Sequence, residues 1–127
     1  MPTKEVTPET LVITLSEQAP VKIVVAEWPC IASAQYHDGE HESQAGRRAG
    51  IRVREHADGR RVVYGWSTSR YRGERDQHAG FLVIHDPTER RIAGANATVR
   101  AIRRVAGAIG HNDIANDCIA DLPAEAI

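Results

Sequence analysis

The run from Ile51 to Trp66 constrains the fold more than any other stretch. Ile51-Arg52-Val53-Arg54-Glu55-His56 and Arg61-Val62-Val63-Tyr64-Gly65-Trp66 are β-rich segments. Between them stands Ala57-Asp58-Gly59-Arg60. Asp-Gly in this setting signals a type I′ hairpin, whose central residues need positive φ. That turn predicts the pairs Ile51–Trp66, Arg52–Gly65, Val53–Tyr64, Arg54–Val63, Glu55–Val62 and His56–Arg61. Side chains alternate along a strand. One face should then carry Ile51, Val53, Val62, Tyr64 and Trp66 toward a core. The other should carry Arg52, Arg54, His56 and Arg61 toward solvent or a ligand.

The flanking chain reads as further sheet. Residues 1–10 are polar, carry Pro2 and Pro8, and read as a loose tail. Leu11 to Leu15 and Val21 to Trp28 read as strands, the second with the strongest signal in the chain. Pro29 then requires an edge or a bulge. Cys30 to Tyr36 reads as another strand, and 37–50 and 67–80 as polar loops. Phe81 to His85 reads as a fully buried strand.

Near the C-terminus the apolar period changes. Val99, Ile102, Ala106 and Ile109 fall at helical spacing, with Asn96 as N-cap and Gly110 past the end. Asn112 or Asp113 is placed to cap a second helix that buries Ile114, Cys118 and Leu122, ended by Pro123. The expected fold is α+β: an antiparallel sheet of five or six strands over 11–92, with two short helices over 96–122 packed on one face. With 127 residues and no interdomain linker, a single domain over 1–127 is expected.

Charge is unevenly spread although the net is −1. All fourteen Arg lie within residues 47–104, and both flanking segments are net acidic. This suggests a basic surface for an anionic partner. Codon bias, or pairing of the acidic ends with the basic middle, explains it equally well. A pI near 6.6 argues against a dedicated nucleic-acid domain, for which a value above about 9 is usual.

Few residues suggest chemistry. His37-Asp38-Gly39-Glu40-His41 resembles a metal-ligand cluster, but Asp-Gly predicts a turn, and a solvated loop is the better reading. No G-x-S-x-G elbow and no phosphate-binding glycine loop occurs. Cys30 and Cys118 read as buried thiols. Ala93-Gly94-Ala95-Asn96 reads as an ordinary helix start. Trp28 and Trp66 read as core residues. Ser69-Arg70-Tyr71-Arg72-Gly73-Glu74-Arg75 is the most suggestive loop, with arginines for phosphate or carboxylate and a tyrosine for stacking. Arg52, Arg54, Arg61, Arg70, Tyr71, Arg72 and Arg75 are therefore the candidate partner-binding residues. No catalytic residue, metal site or cofactor is expected. The opening residues lack the apolar stretch of a secretory signal, so a cytoplasmic protein is expected.

The stretch Asp113-Ile114-Ala115-Asn116-Asp117-Cys118-Ile119-Ala120-Asp121-Leu122-Pro123-Ala124-Glu125 resembles the C-termini of small uncharacterised accessory proteins of phages and plasmids from GC-rich proteobacteria. The likeness, from Ala93 to Ile127, covers about a quarter of the chain. It implies a mobile-element protein that binds and inhibits a host factor, host defence included, and it brings no active-site residues. The expected function is a non-enzymatic binding protein that contacts an acidic host protein or a nucleotide-type ligand through its arginines. The alternative is a small nucleic-acid binder using the same arginines against phosphate.

Overall fold

A computed structural model describes residues 8–39, 46–84 and 96–123. Among the described residues six strands and two α-helices follow in order: β1 Thr10–Ile13, β2 Val21–Val24, β3 Cys30–His37, β4 Arg47–Glu55, β5 Arg60–Ser69, β6 Gln77–Ile84, α1 Ala97–Ile109 and α2 Ala115–Asp121. The class is α+β, as expected. The strands form two antiparallel sheets rather than one, a β1–β2 ribbon and a four-stranded meander in the order β3-β4-β5-β6.

The hairpin register differs from expectation by one residue. Ile51 stands opposite Gly65, Arg52 opposite Tyr64, Val53 opposite Val63, Arg54 opposite Val62 and Glu55 opposite Arg61. The turn has three residues, not two. Gly59 N–H donates to the His56 carbonyl at 3.0 Å, and His56 N–H to the Arg60 carbonyl at 2.9 Å. Gly59 takes φ +92°, the left-handed position that ends a three-residue hairpin loop. The Arg60 N–H, which a two-residue turn would pair with Ala57, donates to Asp58 Oδ1 at 3.0 Å. A slip of one residue turns every β5 side chain over.

The central strands β4 and β5 are consequently covered on one face by the helices and, over the Val62–Tyr64 half, on the other by the ribbon. On one face Ile51, Val53 and Val63, each at 0% exposure, pack with Ile102, Val105 and Cys118 of the helices. Gly65 lets α1 approach closely, since a Cβ there would stand 2.6 Å from Val105 Cγ1. On the other face Val62 and the half-buried Tyr64 pack with Ile13, Leu15 and Ile23 of the ribbon and with Trp28. Fully burying such an aliphatic side chain contributes about 1.5–3 kcal/mol.

Helix α1 starts as its sequence indicates, with Asn96 Oδ1 accepting from Val99 N–H at 3.1 Å and Gly110 left-handed at φ +77°. Ile114, Cys118 and Leu122 are buried as expected. Neither Asn112 nor Asp113 caps α2. A 3-10 turn, Asn112–Ile114, leads into it and no side chain closes its N-terminus.

Other expectations are corrected. Val25–Glu27 forms a 3-10 turn, so the strand read over 21–28 stops at Val24. The loops read over 37–50 and 67–80 give up Arg47–Gly50, Ser67–Ser69 and Gln77–Gly80 to strands. β6 is an edge strand with Leu82 at 40% and Ile84 at 74% exposure, not a buried one. Cys30 is exposed, at a bulge between Cys30 and Ala32 that follows Pro29. Among the described residues no helix is long and apolar enough to cross a membrane.

Candidate functional site

The seven candidate residues do not form one surface. Arg61 lies on the helix face at 6% exposure. Its Nε donates to Glu55 Oε2 at 2.5 Å and its Nη1 to Thr98 Oγ1 at 3.1 Å, tying the hairpin to the first turn of α1. Arg54 lies on the opposite face, 8% exposed under Trp28. Its Nε donates to the Tyr64 hydroxyl at 2.9 Å and its Nη1 to the Trp28 carbonyl at 3.2 Å. Both are structural cations. The shared solvent face expected for Arg52, Arg54 and Arg61 does not exist.

Arg52 remains half-buried on the ribbon side of the sheet, its guanidinium 5.3 Å from the centroid of the Trp66 ring. Trp66, expected in the core, is also only half-buried, and it shares the arginine face because of the register. It lies across Gly50, where a Cβ would meet Cζ2 at 2.4 Å. The ribbon covers only the Val62–Tyr64 half of this face. Among the described residues nothing covers the rest.

Register places Gln35, Gly50, Trp66 and His78 in one row across the open half. The next row holds His37, Arg48 and Thr68. A cavity of about 210 Å³ opens where the ribbon tip meets Trp66, lined by Val12, Ile13, Thr14, Tyr64 and His78. The open half therefore presents an indole, a guanidinium stacked on it, and hydrogen-bonding side chains around both.

The 70–76 loop adjoins that surface. A pocket of about 160 Å³ brings Arg70 beside Arg48 and Thr68. Tyr71 is engaged within the protein: Arg47 stands 4.5 Å from its ring centroid, and its hydroxyl donates to Asp38 Oδ2 at 3.4 Å. Arg47 Nε also pairs with Glu74 at 2.8 Å. The Arg47 backbone N–H, donating at 2.9 Å, holds the Asp38 carboxyl below its ordinary 3.8. Tyr71 thus anchors the loop, while Arg70, Arg72 and Arg75 stay exposed.

No three His, Cys, Asp or Glu side chains gather as metal ligands among the described residues. Glu40 and His41 lie outside them, as do Ala93, Gly94 and Ala95. Burial pushes the Cys118 thiol up to about 12, with the Asp121 carboxylate adding to the effect. No protein-family model matches the chain, and no curated protein or solved structure matches it.

Trp66, Gly50 and His78 are residues of the candidate face that sequence reasoning missed. A signal was present in Val62-Val63, because consecutive apolar residues mark a strand buried on both faces. Such a strand has no solvent face on which to collect arginines.

Proposed function

We propose that this chain is a non-enzymatic binding protein that takes a nucleotide-type ligand on the open half of its four-stranded sheet. A base stacks against Trp66, and phosphate pairs with Arg52 and, at the loop side, with Arg70. The observation that carries this is the juxtaposition of Trp66 and Arg52 on one open face above Gly50. Aromatic faces accept any base, and planar guanidinium groups suit phosphate oxygens. The expected register puts no tryptophan or tyrosine on the arginine face, whereas the observed register puts Tyr64 and Trp66 there.

In a phage or plasmid, the setting implied by the C-terminal resemblance, such a module would act as an accessory protein that withholds an anionic ligand from a host defence factor. The same residues would contact a single strand of nucleic acid, the second reading. Titration with a nucleoside triphosphate and with a short thymidine oligonucleotide separates the two, followed by tryptophan fluorescence. Saturable one-to-one quenching by the triphosphate, lost in Arg52→Glu, supports the first. Preference for the oligonucleotide, with a log–log salt slope of about −1.4 from two phosphate contacts, supports the second. Quenching that survives Arg52→Glu unchanged overturns both.

A further inference from the structure

We infer that the ribbon reads the base of the ligand: a base stacked on Trp66 turns its hydrogen-bonding edge into the cavity at the ribbon tip, where the main chain of Val12 pairs with it. The inference rests on the nucleotide reading of this face and narrows the ligand to an adenine nucleotide.

The pairing of β1 with β2 decides where the Val12 main chain points. Val25 N–H donates to the Glu9 carbonyl at 3.0 Å, and the register Thr10–Val24, Leu11–Ile23, Val12–Lys22 and Ile13–Val21 carries that phase along the ribbon. In an antiparallel pair only alternate residues exchange bonds. Leu11 and Ile13 therefore bond to β2, while the N–H and C=O of Val12 point to the opposite side. The Thr14 carbonyl, two residues on, shows what lies there. A Cβ on Gly80 would stand 2.5 Å from its oxygen, so this edge of β1 faces β6.

Two residues back along β1 is Val12, and two residues back along β6 is His78, which stands opposite Trp66. The cavity of about 210 Å³ lies at that level, lined from the ribbon by Val12, Ile13 and Thr14 and by no residue of β2. Both flanks of β1 lie within residues 8–39, and among the described residues nothing pairs with the Val12 main chain.

This main chain offers one donor and one acceptor side by side. Adenine offers the complement, a ring nitrogen that accepts beside a 6-amino group that donates. Val12, Ile13 and Ala79 make the lining around that pair largely apolar. The additional 2-amino group of guanine would lose its water there.

The test titrates the full chain with ATP, GTP and purine riboside triphosphate, which is ATP without its 6-amino group, followed by tryptophan fluorescence. ATP should bind about five- to tenfold more tightly than either. Amide exchange followed by NMR reads the contact itself. The Val12 N–H should exchange fast in the free protein, beside slow Leu11 and Ile13, and slow by about tenfold or more when ATP saturates the chain. Val12→Pro removes that N–H and no bond of the β1–β2 ladder, so it should weaken ATP by a similar factor while the melting curve holds. Should that variant unfold, the analogue series and the exchange measurement on the unaltered chain still decide. Equal affinity for ATP and purine riboside triphosphate, preference for GTP, or Val12 exchange unchanged by bound ATP overturns the inference and leaves the nucleotide reading standing. Absence of quenching by every triphosphate overturns both.

Discussion

The indole of Trp66 rests directly on the backbone at Gly50, across the β4–β5 ladder, in the space that a side chain at position 50 would fill. Gly50 thereby fixes where the ring lies and keeps Arg52 above it. The glycine belongs to the proposed binding face although it contributes no atom beyond the main chain.

Gly50→Val should displace Trp66. A destabilisation of about 1–3 kcal/mol is expected, the range for overpacking, together with loss of nucleotide quenching. Urea unfolding and the fluorescence titration measure the two effects. Retention of full binding would show that the ring position is not set by Gly50.

Arg61 and Arg52 should behave oppositely. Glu55→Ala leaves the Arg61 guanidinium buried without its carboxylate, and should cost about 2–4 kcal/mol. The lower part of that range applies because the Glu55 side chain is 33% exposed. Arg52→Ala, at the open surface, should cost about 1 kcal/mol or less. Chemical denaturation of both variants decides it; equal costs would place both arginines in one class.

The turn offers a direct check on the register. Gly59→Ala forces a Cβ into φ +92° and should cost about 1–2 kcal/mol. Nuclear Overhauser contacts between the Cα protons of residues on β4 and β5 would show the pairing. A contact set joining Val53 with Tyr64 instead of Val63 would contradict the three-residue loop.

The two cysteines should differ in reactivity. At pH 8 iodoacetamide should label exposed Cys30 and spare Cys118, whose thiol is buried and held protonated. Cys118 has its pKa raised from 9.0 to about 12 in the folded protein. Between those values the folded chain keeps a proton that the unfolded chain has lost, so stability is full below about pH 9 and falls as pH rises toward 12. Cys118→Ala, whatever its effect on stability at neutral pH, should flatten that alkaline decline. A decline of equal slope in both proteins would assign it to other groups.

Local chemistry alone determined much of this molecule. Asn96 and Gly110 bound α1 because a side-chain oxygen can satisfy a free helix N–H and a residue without Cβ can turn left-handed, both within a few residues of chain. The spacing of Val99, Ile102, Ala106 and Ile109 likewise specified which side of α1 is buried. The sheet in the middle of the chain was legible in the same way, from β-rich runs and a glycine turn. The candidate binding face was not legible, because it depends on the register of β5. Register followed from Asp58 capturing the Arg60 N–H, and from the match of Val63 and Gly65 to α1 and of Val62 and Tyr64 to the ribbon. The helix and ribbon partners lie far away in sequence, and with a period of two a single-residue change exchanges the faces. Only tertiary packing could choose which arginines were buried as structural cations and which stayed open beside Trp66.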